Sequence, residues 1–203
     1  MSRRPRFRGP QAPAPGGAAD ETPDADPESV ARAIVLRQLT MAPRSRAQLA
    51  QKLADRGTPV DVADHVLDRM EAVGLVDDEA FAESWVRSRR STRGLSRRAL
   101  AYELRNKGID DEVARASLDQ VDDAAEVATA RELVRRRLPS VRGLAPEKQV
   151  NRLVGMLARK GYSSGLAFRV VHEALAGADG FAGGDGLRED TPEPGQQEWG
   201  PQS

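Results

Sequence analysis

One pattern governs what this chain can become. "LAQKLADRG" begins at Leu49, "LAYELRNKG" at Leu100 and "LVGMLARKG" at Leu153; each is Leu, three residues, Leu, three residues, Gly. The steps between copies are 51 and 53 residues. Leu at i and i+4 falls on one face of a helix. The glycine that follows supplies the positive φ that closes such a helix. The likeness runs past the glycine, with apolar residues five, ten and thirteen positions on: Val62, Leu67 and Met70; Val113, Leu118 and Val121; Leu166, Val171 and Ala174. Fifteen positions before the first leucine stand Ile34, Trp85 and Leu138. The third copy departs slightly, with a longer first helix and "LPSVRGLAP" in place of a shorter turn. Self-similarity at a fixed step is the mark of a repeat architecture. A lone three-helix unit buries too little apolar surface to be stable, so neighbouring units are expected to share surface. The expectation is an all-α fold: nine helices in three tandem three-helix repeats, at residues 27–75, 76–121 and 122–176, forming an elongated, curved body.

Composition agrees with helices. Aromatic residues make up only 4% of the 203 residues, too few for strands that favour Tyr, Phe and Trp, and no segment shows two-residue alternation. Residues 1–26 and 177–203 are Pro/Gly-rich and lack apolar periodicity, so both read as disordered tails, the second acidic. Local signals punctuate the middle: Asp26 as cap before Pro27, Gly57 and Gly74 as helix terminators, Thr58 as cap before Pro59, Asp77 as a helix start, and Ser96 as a cap.

The absence of cysteine removes disulfides and thiolate metal sites. His65 and His172, the two histidines, sit among apolar residues in third helices, which suits surface or partly buried structural positions. The pairs Asp77–Asp78, Asp110–Asp111 and Asp122–Asp123 fall at helix starts, where capping explains them better than metal binding. "GADGFAGGDG" lacks the strand–turn–helix setting of a phosphate loop. No catalytic residue, metal site or cofactor is therefore expected. No apolar run reaches the length of a membrane span, the N-terminus lacks the apolar core of a secretory signal, and the expected location is the cytoplasm.

Charge is uneven. Of 31 basic and 31 acidic residues, residues 1–29 hold four and five, and residues 177–203 hold one and six. Residues 30–176 thus keep 26 and 20, an excess of six positive charges. Much of that excess lies in residues 85–109, where Arg87, Arg89, Arg90, Arg93, Arg97, Arg98, Arg105 and Lys107 face the single acid Glu103. Gly94 and Ser96 form a turn between two Arg-bearing helix ends. Guanidinium matches phosphate and carboxylate bidentately, so this corner is the candidate partner-binding surface, extended by Arg135 and Arg136 in the third repeat.

Residues 74–109 resemble the RecX family, bacterial regulators of the RecA recombinase. The shared run is the Asp77–Asp78 pair, Phe81–Ala82, the Arg87 and Arg89 helix end, the Gly94 turn, then Leu100, Leu104 and Gly108. "SRAQLAQKLADRG" is similar to the family's first repeat, and the resemblance covers about residues 30–176. It implies three tandem three-helix repeats and binding to RecA filaments on single-stranded DNA. It further implies restraint of strand exchange, ATP hydrolysis and repressor cleavage, and so a place in DNA repair, recombination and the SOS response. The DNA would be contacted directly or through RecA, and the protein is expected to be a monomer. Three other readings are a helix-turn-helix-like DNA-binding regulator, an enzyme, and a helical scaffold without a nucleic-acid role. Against the first, "TPVDVADHV" and "DDEVARASL" are too acidic to approach phosphates; against the second, no nucleophile–base pair or metal cluster is seen.

Overall fold

The computed structural model describes residues 26–182. Apart from Asp26 and residues 177–182, the two expected tails lie outside them. The described residues form nine α-helices and no strand: α1 (Pro27–Met41), α2 (Arg46–Ala54), α3 (Val60–Ala72), α4 (Asp78–Arg93), α5 (Arg97–Asn106), α6 (Asp111–Asp119), α7 (Asp123–Arg137), α8 (Pro146–Arg159) and α9 (Ser164–Ala182). A short 3₁₀ turn, Leu138–Ser140, follows α7. The last helix continues past residue 176 to Ala182.

The caps follow from the sequence. Asp26 accepts from the Ser29 amide, and Pro27 takes the first helical position. Asp77, Asp110 and Asp122 accept from the amides of Ala80, Glu112 and Ala125. Thr58 differs from expectation: α3 starts at Val60 with Pro59 as its boundary and no side-chain cap. The Thr58 amide donates to Leu53 O at 3.1 Å and the Gly57 amide to Ala54 O, which puts Thr58 in the closing turn of α2. Thr58 therefore closes α2 around Gly57, at φ +75°, instead of opening α3.

The described residues divide into two compact units, one of residues 26–81 with Lys107–Ile109, the other of Ala82–Asn106 with residues 110–182. In the first, α1, α2 and α3 pack on one another. Their core holds Ala31 and Val35 from α1, Leu49 and Leu53 from α2, and Val66, Leu67 and Met70 from α3. Lys107–Ile109 packs at the start of α2: the Ser45 hydroxyl, wholly buried, donates to Lys107 O at 2.5 Å and accepts from the Gln48 amide. A Cβ on Gly108 would stand 2.3 Å from Ala47 Cβ, so glycine is demanded there by space as well as by its φ of +74°.

In the second unit α5 packs with α6, and α7, α8 and α9 pack together. Ala130, Val134, Leu153, Leu157, Val170 and Val171 are inaccessible to solvent. Fully burying a leucine contributes roughly 1.5–3 kcal/mol over leaving it exposed. The pairs Leu49/Leu53, Leu100/Leu104 and Leu153/Leu157 are all at most 1% exposed, which is the physical reason the motif recurs. The first-helix equivalence is corrected by the structure. Ile34 and Trp85 are half-buried flanking residues, and the buried pairs are Ala31/Val35, Ala82/Val86 and Ala130/Val134. In the third copy Leu138 lies in the 3₁₀ turn instead, because the extra residues between α7 and α8 coil back and bury Leu138 and Val141 in the same core.

Candidate functional site

The Arg-rich corner lies between α4 and α5, and the third repeat holds it in place. Gly94 has φ +59° and lies against Leu133 of α7, where a Cβ would stand 3.1 Å from both Leu133 methyls. The Tyr162 hydroxyl donates to Gly94 O at 3.1 Å, the Ser96 amide donates to Lys160 O at 3.0 Å, and the Lys160 ammonium donates to Arg93 O. Burial, with a smaller contribution from the Glu126 charge, pushes the Tyr162 phenol up to about 12. Burial and then the Arg93 charge hold Lys160 below its ordinary value. Ser96, 1% exposed, caps α5 by accepting from the Ala99 amide. The turn is thus a fixed mount for the side chains around it.

Those side chains do not act as one patch. Trp85, Arg89 and Arg93 share one face of α4, at i, i+4 and i+8, and converge on Glu103 of α5. Trp85 Nε1 donates to Glu103 Oε2 at 2.9 Å, and Arg93 Nη1 donates to Oε1 at 3.2 Å. Arg89 Nε also lies 3.2 Å from Oε2, but its alignment is too poor for a hydrogen bond, so the contact is one of charge. The Arg89 guanidinium stacks over the Trp85 ring at 4.0 Å, a cation–π contact. Arg87 is exposed on α4, and no carboxylate among the described residues pairs with it. Arg90 is half-buried. At roughly 100° per residue, Arg98 and Arg105 lie about 140–160° around α5 from Glu103, on its other flank. There they border a cleft of about 380 Å³ between α5 and α6 with Arg97 and with Arg115, a residue the sequence reading had not singled out. Arg105 reaches Asp111 at 3.4 Å, whereas exposed Arg98 has no such partner among the described residues.

Arg97 has a structural task. Its guanidinium lies 3.0 Å from Asp119 and 3.6 Å from Asp123, and its amide donates to Glu126 Oε1 at 3.0 Å. Arg46 occupies the same place in the first repeat, directly after the buried serine. It reaches Asp68 at 2.7 Å, Glu71 at 2.6 Å and Asp64 at 3.8 Å, and its amide donates to Asp78 Oδ1. Burial pulls against the Arg46 charge, but the hydrogen bond with Asp68 and the charges of Glu71 and Asp68 outweigh it and raise its pKa. Both arginines therefore serve first as internal ties.

Lys107 is half-buried, with its carbonyl taken by Ser45. Arg135 and Arg136 both clasp Glu132, through Arg135 Nε at 2.8 Å and Arg136 Nε at 2.7 Å. Hydrogen bonds from Arg136 and then Arg135 hold the Glu132 carboxyl below its usual range. His65 and His172 are exposed. Among the described residues no cluster of three His, Asp or Glu side chains forms a metal site, and no helix is long and apolar enough to cross a membrane.

The repeated Leu–Leu–Gly helix, the buried serine at the head of α2 and of α5, and the guanidiniums mounted beside them define an all-α protein of tandem three-helix repeats. Models of the RecX first, second and third three-helix domains match residues 31–70, 77–118 and 124–171 in turn. The chain is 52% identical over 180 residues to the regulatory protein RecX of Thermobifida fusca, covering 89% of this chain and 92% of that one. It is 53% identical over 153 residues to the regulatory protein RecX of Streptomyces coelicolor, covering 75% and 81%. The crystal structure of RecX from Lactobacillus salivarius shares the fold, with a TM-score of 0.67 at 23% identity over 75% of this chain and 99% of that one. The chain belongs to the RecX family.

Proposed function

We propose that this chain is a non-catalytic regulator that binds RecA filaments formed on single-stranded DNA and restrains RecA recombination, ATP hydrolysis and co-protease activity. It works in the cytoplasm as a monomer and needs no cofactor. The observation that carries this reading is family membership across all three domains, each matched in order. The site chemistry is compatible with it. Arg87 and Arg98 stand exposed and form no ion pair among the described residues, and Arg89 and Arg93 share one carboxylate between two guanidiniums. Such groups gain charge-assisted hydrogen bonds from phosphates or from acidic protein side chains, and release of counterions makes the binding salt-sensitive.

The experiment measures DNA-dependent ATP hydrolysis by RecA in the presence of the parent and of a variant with Arg87, Arg89, Arg90 and Arg93 changed to Ala. The variant, verified as folded by circular dichroism, is expected to inhibit at least tenfold less, a loss of about 1.4 kcal/mol of binding. Equal inhibition by both proteins removes this surface from the reading; no inhibition by the parent removes the reading itself.

A further inference from the structure

A second basic surface lies on α7 and α8. Arg137 from the end of α7 and Asn151, Arg152, Met156 and Arg159 from α8 line a groove of about 630 Å³. None of its lining residues is acidic. Arg137, Arg152 and Arg159 are all exposed, and no carboxylate among the described residues pairs with any of them. Arg131, Arg135 and Arg136 of the same repeat, by contrast, are tied to carboxylates, the first to Glu173 and the other two to Glu132. Three guanidiniums brought to one groove without an internal counter-charge repel one another and are relieved only by solvent, salt or an anionic ligand.

We propose that this groove binds the phosphodiester backbone of single-stranded nucleic acid directly. Charge complementarity calls for a polyanion. The lining favours phosphates over an acidic peptide, because Met156 is its one apolar side chain and offers little for a peptide's apolar residues to bury against. Arg152 and Arg159 are seven residues apart on α8, roughly 10.5 Å along the axis, enough to engage phosphates a few nucleotides apart. Gly155 between them has no side chain to obstruct an approaching strand; a Cβ there would stand 3.6 Å from Arg159 Nη1. The Asn151 amide supplies a neutral donor and acceptor at the same edge. The site deepens the filament reading by giving the protein its own hold on DNA, but it stands without RecA.

The test is fluorescence anisotropy of labelled oligothymidylate titrated with the full chain alone across a salt series. The variants are Arg137→Ala/Arg152→Ala/Arg159→Ala and the matching triple Lys variant. All three positions are exposed, so folding is expected to survive, and a thermal melt checks it. The Ala variant is expected to bind at least tenfold more weakly. Its slope of log affinity against log salt should be smaller by roughly two, at about 0.7 per phosphate contact. The Lys variant keeps the slope and loses only part of the affinity. An unchanged affinity and slope in the Ala variant overturns the proposal, as does a parent that does not bind the oligonucleotide. So does an Ala variant that loses binding to polyglutamate but not to DNA. A parent that binds DNA through this groove yet leaves RecA ATP hydrolysis untouched sinks the filament reading and leaves the site standing.

Discussion

Replacing Gly161 with Ala tests how tightly one repeat seats on its neighbour. Gly161 has φ +90°, and a Cβ there would lie 2.5 Å from Ser96 Oγ, 2.6 Å from Ala99 Cβ and 3.0 Å from the Ala99 backbone nitrogen. The left-handed backbone alone costs roughly 1–2 kcal/mol for a non-glycine residue. Forcing an extra carbon against a helix that cannot yield adds roughly 1–3 kcal/mol. The expected loss is about 2–5 kcal/mol, a large share of the roughly 5–15 kcal/mol that stabilises a typical domain. Gly57→Ala is the internal control: its φ is +75°, but nothing lies within 4 Å of the added carbon, so only the backbone cost applies. Urea unfolding followed by circular dichroism reads both variants, and the difference in midpoint at constant slope gives the packing share. Adding Ala99→Gly to Gly161→Ala should recover part of the loss as a coupling of about 0.5–3 kcal/mol. If Gly161→Ala costs no more than Gly57→Ala, the close seating inferred here is wrong.

Three further outcomes follow from the ion pairs and the buried phenol. Arg46→Ala leaves Asp64, Asp68 and Glu71 facing one another without their shared cation; a loss of about 1 kcal/mol is expected at low salt, shrinking in high salt because the partners are exposed. Glu103→Gln keeps an acceptor for Trp85 but releases Arg89 and Arg93 from a shared negative charge, so inhibition of RecA ATP hydrolysis should strengthen at low salt; weaker inhibition by the folded variant contradicts the role given to those arginines. Tyr162, raised to about 12 from roughly 10 in an unfolded chain, contributes stability that is intact below pH 10 and lost as pH rises towards 12, about 2–3 kcal/mol in all. Tyr162→Phe should lose about 1 kcal/mol at neutral pH and show a shallower alkaline fall. Lys160, lowered by burial, acts with the opposite sign in both proteins, so the comparison isolates the phenol.

The helices and their cores were legible because they obey local rules: leucines four apart, a glycine to close, an aspartate to start. The first-helix match of the third copy was not, because the turn at Leu138–Ser140 shifts its buried pair to Ala130 and Val134 and breaks the fixed offset. The arginines divide the same way. Arg135 and Arg136 stand three and four residues after Glu132, a spacing that forecasts pairing, and the structure pairs them. Arg152 and Arg159 have no acid three or four residues away on either side, a signal present in the sequence and passed over. Arg97 could not be read this way, since Asp119 and Asp123 reach it only through the fold. Glu83 stands four residues before Arg87 yet accepts from Gln120, a choice that depends on tertiary position.

The hold of Lys160 and Tyr162 on the carbonyls of Arg93 and Gly94 also bears on anyone who shortens or splices this molecule. A cut after residue 121 follows the sequence repeat faithfully, yet it strips the loop at 93–96 of the groups that fix it. Chimaeras that exchange one repeat between relatives should therefore carry both halves of that junction from the same parent.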